Sequence, residues 1–241
     1  MIDECREVTR RCQGYWFDTF FSLTKNAPLS KYFKETMNRP FHATKFRTHF
    51  NARTIPRHPK IDELKKWCAD FHRSGLTPLH KHGACGNLSF RLSDGEIPFV
   101  ITASGASFHE TPQDDFFVKV DHCDMENMVV YAEGTREPSS ESLFHFAVYR
   151  ERKDVNAVFH GHHKLLLLKG PQIGLKETTR EEPYGTVELV DSILEVLNQE
   201  NFLLLKNHGF ISLGRTMEEA GELALLMLNR VSPGISEAGK S

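Results

Sequence analysis

Between Ile61 and Phe71 the apolar residues Ile61, Leu64, Trp67, Cys68 and Phe71 recur at threes and fours, a spacing that predicts a helix with one buried face, stopped at Gly75. Beyond it the pattern changes to short apolar runs bounded by Gly, Asp or Asn. Cys85 to Leu92, Pro98 to Thr102, Phe116 to Val120 and Met128 to Tyr131 read as strands of one sheet. Ser139-Ser140-Glu141 ahead of Leu143, Phe144, Ala147 and Val148 predicts a second helix with a serine cap, followed at once by a strand from Asn156 to Gly161. Val187, Val190, Leu194 and Leu197 mark a third helix, and Phe202 to Leu205 and Phe210 to Leu213 are two strands flanking Asn207-His208-Gly209. Thr216-Met217-Glu218-Glu219 has the form of a capping box and opens a last helix, from Met217 to about Arg230.

Helices and strands thus alternate through one continuous region, residues 60–231, and predict helices packed on a central sheet. Residues 1–59 are irregular, with Tyr15-Trp16-Phe17, Phe20-Phe21 and the basic residues Lys45, Arg47, Arg53 and Arg57. They read as an N-terminal extension: an arm over the site, a subunit contact, or a surface wrapping that buries its own aromatics. Residues 232–241, polar with Gly and Pro, read as a flexible tail.

Composition narrows the partners. A chain of 241 residues, 39% hydrophobic and 26% charged, can bury a sizeable core. Its formal net charge of -2 lacks the basic footprint of phosphate-backbone binding, so nucleic acid is not an expected partner. The five cysteines, Cys5, Cys12, Cys68, Cys85 and Cys123, form no Cys-x-x-Cys pair and are expected to be reduced. The start has no basic segment leading into an apolar one, and the run from Tyr15 to Leu23 is too short and interrupted to span a bilayer. A cytoplasmic location with no membrane partner is the expectation. Histidine alone departs from the average, with thirteen in the chain, and imidazole is the commonest metal ligand.

In Val158-Phe159-His160-Gly161-His162 the two histidines are two apart on a predicted strand, so both imidazoles point the same way, while Gly161 leaves the opposite face bare. His208 stands at the turn between two apolar strands, where a strand end can present a ligand to a cleft. Three neutral nitrogen ligands leave a coordination position open for substrate oxygens, as catalytic metal sites do. Each histidine taken alone has an equally simple reading as a hydrogen-bonded structural residue. Glu141, in the first turn of a predicted helix, is either a carboxylate stabilised by the helix N-terminus or a working acid/base. Ser139 and Ser140 are either simple caps or, with the free amides, an anion site. Asn87, in Gly86-Asn87-Leu88-Ser89, and the turn Thr102-Ala103-Ser104-Gly105 supply small residues whose backbone can approach a ligand closely.

Taken in order, Gly86-Asn87-Leu88-Ser89, Thr102-Ala103-Ser104-Gly105, Pro138-Ser139-Ser140-Glu141, His160-Gly161-His162 and Asn207-His208-Gly209-Phe210 resemble the landmarks of the class II aldolase and adducin family, to which fuculose-phosphate aldolase belongs. Tyr184-Gly185-Thr186-Val187-Glu188-Leu189 and the helix from Thr216 also look like the family, so the likeness runs from about Ile61 to Arg230. The resemblance implies a three-layer α/β/α fold around a mixed, mostly antiparallel sheet. It implies zinc, or another divalent metal, on His160, His162 and His208, with Glu141 as the acid/base. It places substrate phosphate on Gly86, Asn87, Ser104, Gly105, Ser139 and Ser140, and it makes a homotetramer the expected assembly.

A metal bound by a ketose's carbonyl and adjacent hydroxyl would stabilise an enediolate. The reaction expected is therefore lysis of a small sugar phosphate, foremost by aldol cleavage. The stretch from His162 to Gly185 is shorter than in the aldolases and holds no tyrosine to match theirs, so dehydration of a phosphate of the methylthioribulose-phosphate type is the alternative. A glutamate at position 141, where the epimerases carry an aspartate, speaks against an epimerase. A non-catalytic, adducin-like assembly module is a third reading, and retention of all three histidines argues against it.

Overall fold

The computed structural model describes residues 45–80, 83–108 and 112–232. Most of the predicted N-terminal arm, nearly all of the predicted tail, Cys5 and Cys12 lie outside the described residues. In chain order the α-helices and the strands of the main sheet are β1 (Arg47–Ala52), α1 (Ile61–Arg73), β2 (Gly86–Arg91), β3 (Phe99–Thr102), β4 (Phe117–Asp124), β5 (Val129–Glu133), α2 (Ser142–Glu151), β6 (Ala157–Gly161), α3 (Lys164–Lys169), β7 (Lys176–Glu177), α4 (Val187–Leu197), β8 (Phe202–Leu205), β9 (Gly209–Gly214) and α5 (Met217–Val231).

Among the described residues these nine strands form one open sheet in the order β1-β5-β4-β3-β2-β6-β9-β8-β7. The outermost pairings, β1 with β5 and β8 with β7, are parallel. Every pairing between them is antiparallel. The mixed, mostly antiparallel sheet expected from the sequence is therefore present. Strand alternation sends Val158, Ile211, Leu203 and Ile101 to one face, where they pack with Leu143, Phe144 and Ala147 of α2 and Leu189 and Ile193 of α4. Phe159, one residue out of phase, turns to the other face and meets Trp67 and Phe71 of α1, with ring centroids 5.9 and 5.3 Å apart. Each such large apolar side chain, once buried, contributes about 1.5–3 kcal/mol. The result is helix, sheet, helix. None of the described helices is long and apolar enough to cross a membrane.

Three local expectations are corrected. The second helix begins at Ser142, so Glu141 is its N-cap residue rather than part of its first turn, and no side chain caps that end. Ser139 instead accepts at Oγ from the Glu141 amide at 3.3 Å, and at its carbonyl from the Ser142 amide and hydroxyl. At α5 only half of the capping box forms. The Glu219 amide donates to Thr216 Oγ at 3.0 Å, but the Glu219 carboxylate accepts from the amide of Arg215, not Thr216. The β4 strand runs on to Asp124, past the predicted end at Val120.

Candidate metal centre

The β6 strand lies between β2 and β9, with His160 opposite Asn87 on one side and Ile211 on the other. That register sets the centre of the sheet under the N-terminal end of α2. His160 is fully buried, and its Nδ1 donates to the Phe210 carbonyl at 2.8 Å, a bond that leaves Nε2 as the lone-pair nitrogen. Nε2 of His162 is 3.0 Å from it. His208 completes a near-equilateral triangle, with ring centroids 4.8, 5.0 and 5.0 Å apart and planes steeply inclined to one another. The ligand nitrogens of the three all lie within 4.8 Å of one another.

Backbone chemistry explains why these residues come together. Gly161 is not opposite empty space, as its position suggested: a Cβ there would meet the Leu76 carbonyl at 2.5 Å and the Phe210 ring at 2.7 Å. The same Leu76 carbonyl accepts from the His162 amide at 2.7 Å, fixing the chain just beyond the strand. At the other ligand, Asn207 takes the left-handed conformation with φ 54°, and its amide donates to Glu181 at 2.7 Å. Gly209 follows because a Cβ would lie 2.4 Å from the Gly161 carbonyl and 2.8 Å from the His160 ring. Asn-His-Gly is thus a sharp turn pressed against the end of β6 and His162.

Glu141 reaches into the same space. Its Oε2 is 3.1 Å from His160 Nε2 and accepts from Asn87 Nδ2 at 2.7 Å. Its Oε1 is 3.3 Å from His208 Nε2 and, though buried, has no hydrogen-bond partner. Burial pushes the carboxyl pKa up, but His160, His208 and His162 pull it down by more and leave it well below the usual carboxylate range. Burial also lowers His208 to about 4, opposed by Glu141 and reinforced by the nearby His160 and Lys45. The Lys45 ammonium itself lies 4.7 Å over the Tyr184 ring.

The donor set fits a divalent metal. Two imidazole nitrogens bound to one tetrahedral zinc at ordinary bond lengths stand about 3.3 Å apart, close to the His160–His162 separation. Three imidazoles with one buried, unpartnered carboxylate oxygen beside them supply three neutral ligands and a group next to the open position.

The residues expected to hold phosphate all precede Glu141 in the chain, on three segments. Gly86, with φ 130°, stands in register with Gly161, and a Cβ on it would lie 2.6 Å from the His160 carbonyl. The Ser104 amide donates to the Glu137 carbonyl at 2.9 Å, and Ala103 bridges Pro138, which docks the turn with Ser104 and Gly105 (φ 72°) beside Ser139 and Ser140. Asn87 behaves differently: both ends of its amide are engaged, the nitrogen by Glu141 and the oxygen by His145 Nε2.

Behind Asn87 lie three buried polar residues that sequence reading did not single out. His145 Nδ1 is 2.7 Å from Ser89 Oγ, which is 2.8 Å from the Tyr149 hydroxyl. Burial, with a smaller push from His160 and against Glu141, lowers His145 to about 3, so it is neutral at physiological pH. Their signal is periodic. Asn87, Ser89 and Arg91 alternate along one face of β2, and Glu141, His145 and Tyr149 follow at intervals of four on one face of the α2 segment.

Known proteins resemble this chain in sequence and in fold. The family described as Class II Aldolase and Adducin N-terminal domain matches residues 62–230. The chain is 33% identical over 183 residues to the 5-methylthioribulose-1-phosphate/5-deoxyribulose-1-phosphate aldolase of Rhodospirillum rubrum, covering 67% of this chain and 76% of that protein. It is 31% identical over 157 residues to the 5-deoxy-D-ribulose 1-phosphate aldolase of Bacillus thuringiensis serovar kurstaki, covering 58% of this chain and 67% of that protein. Among solved structures, an L-fuculose 1-phosphate aldolase superposes with a TM-score of 0.59 at 22% identity, over 74% of this chain and 85% of that one, a likeness of fold.

Proposed function

Since the chain belongs to the class II aldolase and adducin family, we propose that it is a metal-dependent sugar-phosphate aldolase that cleaves a ketose 1-phosphate of the 5-deoxypentulose type. The observation that carries the reading is the buried, unpartnered Oε1 of Glu141 facing three convergent imidazoles. A structural carboxylate at a helix N-terminus would have both oxygens satisfied.

In this reading His160, His162 and His208 hold zinc or another divalent ion, which when bound polarises the substrate carbonyl and stabilises the negative charge left by carbon–carbon cleavage. Glu141 Oε1 takes the proton from the hydroxyl whose carbon becomes the aldehyde. It later returns a proton to the carbon that leaves as the ketone product. The Asn87 amide holds Oε2 and so aims the other oxygen. Gly86, Ser104, Gly105, Ser139 and Ser140 provide small side chains, hydroxyls and close backbone for the phosphate. Relatives named for methylthioribulose-phosphate substrates are aldolases, which favours cleavage over dehydration. A homotetramer remains the expected assembly, to be measured by light scattering.

The test is turnover of a panel of ketose 1-phosphates by the metal-loaded protein, with dihydroxyacetone phosphate release and water loss assayed separately and metal content measured in parallel. Dihydroxyacetone phosphate from a 5-deoxypentulose 1-phosphate, with metal and turnover both lost in His160→Ala, is the expected outcome. Water loss without cleavage would replace the aldolase reading by the dehydratase one, and a protein that binds no divalent metal would remove both.

A further inference from the structure

The buried polar residues behind Glu141 form a chain whose donors and acceptors can be assigned one after another. An ionised carboxylate only accepts, so the Asn87 end at 2.7 Å from Glu141 Oε2 is the amide nitrogen. The Asn87 oxygen therefore faces His145 Nε2, which must carry the proton. A neutral imidazole protonated at Nε2 accepts at Nδ1, so the Ser89 hydroxyl donates to it at 2.7 Å. The alternative acceptor for that hydroxyl, the Val158 carbonyl, is further off at 3.4 Å. Ser89 Oγ is then left to accept from the Tyr149 hydroxyl at 2.8 Å. Asn87, Ser89, His145 and Tyr149 are all buried, where water does not compete for these bonds.

The geometry points to His145 as a positioning residue for Glu141, acting through Asn87, with the Ser89 hydroxyl donating to its other nitrogen. This rests on Glu141 being the acid/base of the proposed reaction. The physical content is specific. A proton on His145 Nε2 holds the Asn87 oxygen away from Glu141 and keeps the Asn87 nitrogen on Oε2. It also polarises the amide, so that its N–H is a better donor to the carboxylate. Without that proton the Asn87 oxygen is buried and unpaired, the amide is free to turn, and Glu141 loses the contact that aims Oε1. Nothing in the scheme requires His145 to touch substrate or to change its charge.

Two measurements on the full chain test it. Histidine-selective 15N spectroscopy reads the tautomer directly, whatever the activity. The expectation is a neutral His145 with the proton on Nε2 and a bare Nδ1. A proton on Nδ1 in the unmodified protein would overturn the assignment.

The second is a kinetic cycle. His145→Phe, which keeps a ring beside Phe99 and Phe144, should lower kcat about tenfold to a hundredfold, with KM within twofold and metal content unchanged. His145→Gln, whose amide can still donate to Asn87, should recover most of that loss. In the Asn87→Ala background, His145→Phe should cost nothing further. Losses that multiply would show that His145 acts independently of Asn87, and full kcat in His145→Phe would remove the positioning role. If His145→Phe fails to fold, His145→Gln and the 15N measurement still decide. If no ketose phosphate is turned over at all, the proposed reaction fails, while the tautomer still stands or falls on its own.

Discussion

At the C-terminal end of α2 the guanidinium of Arg91, fully buried, donates to the carbonyls of Val155, Glu96, Tyr149 and Arg152 and lies 4.6 Å from the centre of the Tyr149 ring. At the N-terminal end the carboxylate of Glu141, also buried, accepts one bond from Asn87 and leaves Oε1 without a partner. Both charges suit the helix dipole, the anion at the N-terminus and the cation at the C-terminus. They differ in satisfaction. Arg91 stitches the last turn of the helix to neighbouring loops and has little hydrogen-bonding capacity left to offer. Glu141 is held from one side and kept available on the other. Under the proposed function the same helix ends in a structural charge and a reactive one, and the distinction lies in the hydrogen-bond inventory rather than in depth of burial.

Substitutions at the two ends should separate the roles. Glu141→Gln keeps the shape and removes the base, so kcat should fall about a hundredfold to ten-thousandfold, while the urea midpoint of the metal-free protein stays equal or rises. A drop in both would mean that Glu141 is a structural charge like Arg91. Conversely, Arg91→Met removes the buried guanidinium that donates to the carbonyls of Val155, Glu96, Tyr149 and Arg152, and should destabilise the fold by about 3 kcal/mol, measured by urea unfolding, with kcat per folded molecule preserved.

A subtler probe touches only the ligand scaffold. Gly209→Ala forces a methyl against the Gly161 carbonyl and the His160 ring, and should weaken metal binding about tenfold to a hundredfold in a competition titration with a chelator. The smallest expected effect is on pH dependence. Burial holds His145 at about 3, against an ordinary value of 6.5, so the unfolded chain takes up a proton that the folded one does not. Stability from this residue is complete above pH 6.5 and is lost as pH falls from there toward 3, by about 1 kcal/mol per pH unit. Metal-free His145→Phe should show a correspondingly shallower slope in unfolding free energy between pH 6 and 5, and an unchanged slope would mean that the imidazole is not neutral in the fold.

Elements with a buried face were readable in advance. β8 begins and ends where its apolar run does, and α1 and α4 follow their three-and-four spacing. β1 was not foreseen because Arg47–Ala52 alternates between exposed and half-buried residues and buries none fully, so hydrophobic periodicity has nothing to register. α3 is a run of four leucines between lysines, too short to declare a period, and β7 is two residues long. At the site, the two-residue spacing of His160 and His162 anticipates their meeting, but the strand ends at Gly161 and His162 is placed by its amide's bond to the Leu76 carbonyl; His208 joins them through a turn whose Asn and Gly are individually legible. The chain from Asn87 to Tyr149 was hidden for a different reason. Its members lie on two elements, and single polar residues in apolar segments carry meaning only once the register sets one row against the other.

The parallel pairing of β1 with β5 has a practical consequence for anyone trimming this chain. The segment that matches the family starts at residue 62, after β1 has already hydrogen-bonded along Val129–Glu133. A fragment cut to that boundary would lose the strand that covers Val129, Val130 and Tyr131, baring a β-branched and aromatic edge of the kind that templates intermolecular pairing. Its loss of solubility would then come from an uncovered sheet edge, with the segments that carry His160, His162 and His208 left unaltered in sequence.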